Sequence, residues 1–234
     1  MSKENIVSEK IDRRKFLTGA GAGSLLVLPL GGCTTGGKDA ASAGRPHYVM
    51  VFDQNKCVGC GDCKKACNET NKLPKGVSRL LLELSNSTLQ GKGYQKDRKY
   101  IRVSCQQCQN APCVKVCPTG AAHYDAKTGI VTMDRSKCVG CKYCIVACPY
   151  NVRYINSETK VADNCNFCLD TRLSKNQEPG CVEACKYNAL VFGDINDKAS
   201  YVNKLLAVKD SVRIKPHLGT DPSLRYIPIV KKGV

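Results

Sequence analysis

Sixteen of the 17 cysteines in this 234-residue chain stand in four tight groups, and their spacing constrains the fold more than any other feature. The first group is Cys57, Cys60, Cys63 and Cys67, with 2, 2 and 3 residues between them. The second is Cys105, Cys108, Cys113 and Cys117, spaced 2, 4 and 3. The third, Cys138, Cys141, Cys144 and Cys148, repeats 2, 2 and 3. The fourth is Cys165, Cys168, Cys181 and Cys185, spaced 2, 12 and 3. Lys-Cys-Val-Gly-Cys occurs at 56–60 and again at 137–141, and PCVKVCPTGA at 112–121 parallels GCVEACKYNA at 180–189. The groups alternate in type, as expected if a half containing one of each has been duplicated.

Such spacings suit an iron–sulfur cubane. Four thiolates must reach the corners of a tetrahedron, and Cys-x2-Cys-x2-Cys wraps three corners with one turn of loop. Gly59 and Gly61 let the loop's amides approach the sulfurs without a Cβ clash. The cysteine three residues further on cannot reach the fourth corner and serves a neighbouring cluster. The run from Cys138 to Cys148-Pro149 has the full bacterial ferredoxin pattern, closing proline included. Zinc usually takes two ligands from each of two Cys pairs, so this spacing would waste cysteines. Disulfide scaffolds are normally shorter chains, and bridges within such tight repeats would be strained.

Sixteen ligands make four [4Fe-4S] clusters, and two pairings are open. A tandem duplication would join group one with two and three with four. The link at 118–137, however, resembles the connection between the two motifs of a two-cluster ferredoxin, with Gly120-Ala121 after Cys117-Pro118 and a strand before the next motif. That favours a nested scheme. Cluster A would be held by Cys57, Cys60, Cys63 and Cys185, and cluster B by Cys165, Cys168, Cys181 and Cys67. Cluster C would take Cys105, Cys108, Cys113 and Cys148, and cluster D Cys138, Cys141, Cys144 and Cys117.

The rest of the composition agrees. With no Trp and only four Phe, the apolar core is modest, and bound metal would help to hold the fold. The formal charge of +16 would ordinarily point to nucleic acid or an anionic membrane. That count treats each cysteine as neutral. Residues 1–32 hold five Lys or Arg and three Asp or Glu, so the remainder carries +14. Four clusters, each a dianion with its thiolates, would lower this to about +6, and no nucleic-acid partner is expected.

Ahead of the cysteine groups, Arg13-Arg14-Lys15-Phe16-Leu17 resembles a twin-arginine export signal, with Asp12 and Thr18 at positions where that signal prefers other residues. The apolar segment 19–30 is too short to span a bilayer as a helix. Leu30-Gly31-Gly32-Cys33 resembles a lipoprotein processing box that would leave Cys33 lipidated. Cleavage after Ala43 in Ala41-Ser42-Ala43 is the alternative. Export in the folded state would let the cysteines leave the reducing cytoplasm as metal ligands rather than as thiols. The expected location is the periplasmic face of the cytoplasmic membrane.

The expected organisation is α+β: signal at 1–32, flexible tether at 33–46, an outer ferredoxin-like unit from 47–104 and 161–215, and an inner one at 105–160. Strand-like runs lie at 47–52, 100–103, 129–133, 152–155 and 189–192. Short helices are expected at 64–71 and 142–147. An amphipathic helix over 197–208 should bury Tyr201, Leu205 and Val208. Residues 71–99 read as a surface insertion or hairpin, and 216–234, with three prolines, as an extended C-terminal arm.

Taken together, the chain from about residue 47 onward resembles the four-cluster electron-transfer subunits of dimethyl sulfoxide, polysulfide, tetrathionate and arsenate reductases. Above all it is similar to the ferredoxin-like subunits of formate-dependent nitrite reductase systems. GVSRL at 76–80, SCQQCQNAPCVKVCPTGA at 104–121, CVGCKYCIVACPYNVRYI at 138–155 and LGTDPSLRYIPI at 218–229 carry that resemblance. It implies two nested ferredoxin-like units and four [4Fe-4S] clusters. It also implies an integral-membrane quinol-oxidising partner on one side and a catalytic respiratory reductase on the other. Asn68 and Lys186 depart from the proline that ferredoxins place after the last cysteine. Lys56, Lys64 and Lys137, next to ligands, are expected to raise cluster potentials. His47, His123 and His217 are scattered, no substrate site is evident, and no Walker or dinucleotide glycine motif occurs.

Overall fold

The protein is described by a computed structural model over residues 44–85 and 100–229. The signal at 1–32, Cys33, most of the tether and residues 86–99 of the expected insertion lie outside the described residues. In chain order the elements are β1 (Tyr48–Asp53), α1 (Asp62–Thr70), β2 (Leu80–Leu84), β3 (Tyr100–Ser104), α2 (Pro112–Lys115), β4 (Ala122–Tyr124) and β5 (Val131–Met133). There follow α3 (Tyr143–Val146), β6 (Tyr154–Ile155), β7 (Ala162–Asp163), α4 (Gly180–Glu183), β8 (Leu190–Asp194), α5 (Tyr201–Val208) and β9 (Leu224–Ile227).

β1 reads YVMVFD, an unbroken apolar run rather than an alternating one, because both of its faces are covered. It is the middle strand of the sheet β8-β1-β9. β8 runs antiparallel to it from Tyr48↔Asp194 to Phe52↔Leu190, and β9 parallel from Met50↔Leu224 to Asp53↔Ile227. The strand before group one is thus paired with the strand after group four. Val49 and Val51 pack with Val202 of α5 and Ile227. Met50 and Phe52 face the other way, into a core with Leu224, Tyr226, Phe167 and thiols of groups one, two and four. A second core gathers Cys108, Cys113, Cys144 and Cys148 around Ala111, Val131, Tyr150 and Ala162.

The helices that carry ligands pack in two couples, α1 against α4 and α2 against α3. Gly180 permits the first approach, since a Cβ there would sit 2.5 Å from the Thr70 hydroxyl. β4 and β5 form an antiparallel hairpin inside the link between groups two and three, and β6 pairs with β7. α1 runs on past Cys67 to Thr70, whereas α2 and α3 stop before the Cys-Pro that follows them. Asn68 permits this by keeping the backbone N–H that proline lacks, but it is not sufficient, since α4 stops at Glu183 with Lys186 in the same place.

Two expectations are revised. Residues 216–229, expected as an extended arm, are extended only in part and are built into the fold. After a 3-10 turn at Pro216–Leu218 the chain clamps the group-two loop through Gln109 N–H to Asp221 O and Asn110 N–H to Thr220 O. It then enters the sheet as β9, with Leu224 and Tyr226 fully buried. Helix α5 starts at Tyr201, because Ser200 caps it by accepting from Asn203 N–H. Its inward residues are Val202, Leu205 and Leu206, while Tyr201 and Val208 are exposed. The expected hairpin is present in the described residues: β2 pairs antiparallel with β3 from Leu80↔Ser104 to Leu84↔Tyr100.

Candidate metal centres

Every cysteine group opens with the same backbone device. The residue two after the first cysteine has a positive φ: Gly59 at 75°, Gln107 at 47°, Gly140 at 69° and Phe167 at 54°. This left-handed step turns the residue's own amide back toward the first sulfur. Gly59, Gln107 and Phe167 amides hydrogen-bond Cys57, Cys105 and Cys165 respectively. Gly59 also packs its bare Cα against the Tyr100 ring, leaving no room for a Cβ. Gly61 caps α1 at φ 84°, and Lys142 takes the same left-handed position before α3 at φ 66°. The helix then delivers the third cysteine inward.

The thiols gather in neighbourhoods that cross the order of the sequence. Cys57 lies beside Cys60 and Cys185, and Cys63 beside Cys57, Cys185 and Cys181. Cys67 turns away from its own group toward Cys165, Cys168 and Cys181. Cys105, Cys108, Cys113 and Cys148 line one enclosed cavity with Val131, Tyr150 and Arg153. Cys144 lies beside Cys117 and Cys138. Exposure is graded as well. Cys60 and Cys141 are exposed, Cys57, Cys117, Cys138 and Cys185 half-buried, and all the others buried. Among the described residues, no three His, Cys, Asp or Glu side chains come together in a way that would hold a single metal ion.

Burial dominates the electrostatics. It pushes the Cys63 thiol up to about 11 and Cys108 up to about 12, and it raises Cys67, Cys105, Cys113 and Cys165 in the same direction. Cys117 goes the other way: slight burial would raise it, but Ala122 N–H, at 3.3 Å, and Thr119 hold it below the ordinary value. Deep thiols such as these stay protonated unless a cation replaces the proton. Arg153 supplies the converse. It is buried, among the described residues none of its three side-chain nitrogens finds an oxygen or nitrogen acceptor, and Cys113, Cys105 and Cys144 surround it. A cationic side chain with only sulfurs to meet it fits an anionic metal–thiolate group and would be poorly accommodated by neutral thiols alone. The donor set and this cation both fit iron–sulfur clusters.

Several contributors carry no mark in the cysteine pattern. Asn71 donates to Cys168 Sγ at 3.5 Å and Cys67 Sγ at 3.8 Å, and Asn164 to Cys105 Sγ at 3.7 Å. Arg102 Nη1 lies 3.5 Å from Cys181 Sγ. Arg79 of GVSRL pairs with Asp163 at 2.9 Å, both side chains under one-tenth exposed, and also donates to Asn71 and Asn166. It therefore holds the sulfur donor Asn71 and the group-four loop in one network. By contrast Lys56, Lys64 and Lys137 are exposed, and Lys137 pairs with Asp134 at 3.3 Å. His47 contacts Ser223 Oγ at 3.1 Å, His123 contacts Ala121 O at 3.0 Å, and His217 is exposed.

A family model described as a 4Fe-4S dicluster domain matches residues 97–195. The NrfC protein of Escherichia coli is 45% identical over 219 residues, covering 92% of this protein and 95% of its own length. The NrfC homolog of Haemophilus influenzae is 44% identical over 217 residues, covering 92% and 94%. The B subunit of the polysulfide reductase of Wolinella succinogenes is 46% identical over 193 residues, covering 80% and 97%. Small helices and strands arranged around clustered cysteines of this kind define a ferredoxin-like iron–sulfur protein. Within that class, the protein belongs to the family of iron–sulfur electron-transfer subunits of respiratory reductases.

Proposed function

We propose that the protein carries four [4Fe-4S] clusters in two nested ferredoxin-like units and passes electrons from a quinol-oxidising membrane subunit to a catalytic respiratory reductase. When bound, each cluster takes up and gives back one electron. The polypeptide's own part is to hold the four in series. The reading is carried by Cys67, which leaves its own group and faces Cys165, Cys168 and Cys181. The proximity of Cys185 to Cys57 and Cys63, of Cys148 to Cys108 and Cys113, and of Cys117 to Cys144 supports the other three nested sets. The pairings of β1 with β8 and of α1 with α4, set outside those of β4 with β5 and of α2 with α3, support the nesting.

Proximity between sets suggests an order. Cys63 shares a core with Cys181 and Cys165 with Cys105, and Cys113 shares the second core with Cys144, which supports a single path through clusters A, B, C and D. Sets A and D each include an exposed cysteine, Cys60 and Cys141, while every cysteine of sets B and C is buried. Electrons would enter and leave at the two ends and be shielded between them. Both ends offer apolar contact surface: Val58 and Tyr187 at one, and Val139, Tyr143 and Val146 at the other. Amides, Asn71 and Asn164 aimed at sulfur tune the potentials.

The twin-arginine-like signal and Cys33 support a location on the periplasmic face, with export in the folded state and a lipid anchor. Gentle solubilisation of membranes is expected to recover the protein together with a quinol-oxidising membrane protein and a haem or molybdopterin reductase. Recovery of the protein alone, from the soluble fraction only, would contradict the proposal.

A further inference from the structure

Two arginines lie inside the protein with no carboxylate paired to them among the described residues. Arg102, on β3, is 1% exposed; it donates to Ser104 Oγ at 2.9 Å and reaches Cys181 Sγ at 3.5 Å. Its charge is also felt at Cys63, Cys67 and Cys165. Arg153, seven residues after the last residue of α3, is 4% exposed, and among the described residues its guanidinium meets no oxygen or nitrogen acceptor, only the thiols of Cys144 and Cys113. Its neighbours are Cys113, Cys105 and Cys144. The third deeply buried arginine, Arg79, is neutralised by Asp163, so the fold does supply a carboxylate where a cation has to be balanced by protein. At Arg102 and Arg153 it supplies sulfur instead. A guanidinium cannot give up its proton, and taking it out of water without an anion is strongly unfavourable.

We propose that Arg102 and Arg153 are internal counter-cations, each shared by two neighbouring clusters, and that they hold those clusters' reduction potentials up. The inference rests on the cluster assignment above. Arg102 stands between the set completed by Cys185 and the set completed by Cys67. Arg153 stands between the set completed by Cys148 and the set completed by Cys117. One-electron reduction without proton uptake adds negative charge beside a fixed positive one, so the guanidinium favours the reduced form more than the oxidised form. Water screens this interaction weakly at such depth, whereas the exposed Lys56, Lys64 and Lys137 are strongly screened. The same two side chains would account for part of the basic excess from inside the molecule.

The test compares Arg153→Met with Arg153→Lys in the full-length holo-protein, by iron content and by dithionite titration followed by electron paramagnetic resonance. The Met variant is expected to shift the reduction equilibrium of the nearby clusters at least tenfold toward the oxidised state, which is 59 mV for one electron. The Lys variant keeps the charge and should stay within that margin of the native protein. Arg102→Met should move the other pair of signals. Loss of iron from Arg153→Met alone, with Arg153→Lys intact, would support the same role, since charge is what separates the two. A Met variant that keeps its iron and its native potentials would overturn the inference, as would Met and Lys variants that behave alike. If the native protein itself gave no cluster signal, the assignment beneath the inference would fall with it.

Discussion

Replacing Cys67 with serine is expected to damage the cluster of Cys165, Cys168 and Cys181, and to leave that of Cys57, Cys60 and Cys63 intact. Cys67 is 3% exposed and lies on the inner side of α1, where it faces thiols of the fourth group rather than of its own. A serine oxygen is a poorer and harder ligand than a thiolate. The loss would be about one iron if a three-iron cluster survives, or about four if it does not. Iron analysis gives the count, and the low-temperature resonance spectrum shows which signals change. Damage confined to the cluster of group one would overturn the nested assignment and restore the tandem pairing.

The second large effect concerns export. Arg13-Arg14→Lys-Lys is expected to leave the protein in the cytoplasm with its clusters assembled, so that the exported fraction falls close to zero. The substitution keeps the charge of the segment and changes only the guanidinium pair, which separates a signal-specific effect from a general loss of basicity. Cell fractionation combined with iron content decides the matter. Normal export of the Lys-Lys variant would contradict folded-state transport, and the cysteines would then need another way past an oxidising compartment.

The cysteine spacing was legible because it is local: a loop of two residues and one turn of helix carry three ligands wherever the motif falls. At Gly59 and Gly140 the left-handed step was written as glycine. At Gln107 and Phe167 the same conformation is held by hydrogen bonding and burial instead; Gln107, for one, is locked to Val131 and Cys165 through its side chain. The burial of the tail is not legible, because its three prolines mark extended chain without saying whether that segment is solvated. Only the partner strand β1, far away in sequence, decides that. In α5 the apolar residues allow two faces, and contact with Val49 and Val51 selects the one centred on Val202.

The tuning cations were hidden for a related reason. By alternation in YIRVS, Ile101 and Val103 would point inward and Arg102 outward. The buried side is instead Arg102 and Ser104. A sequence pattern assigns charge to the surface, and that rule fails where the interior is itself charged. Lys56, Lys64 and Lys137 are next to ligands along the chain but point into water, while Arg102 and Arg153 reach the sulfurs from other elements.

The most direct test is a count. Full-length protein prepared without oxygen should be brown, hold about sixteen irons per molecule and accept about four electrons from dithionite. Colourless protein containing zinc, or far fewer irons with no uptake of electrons, would contradict the account.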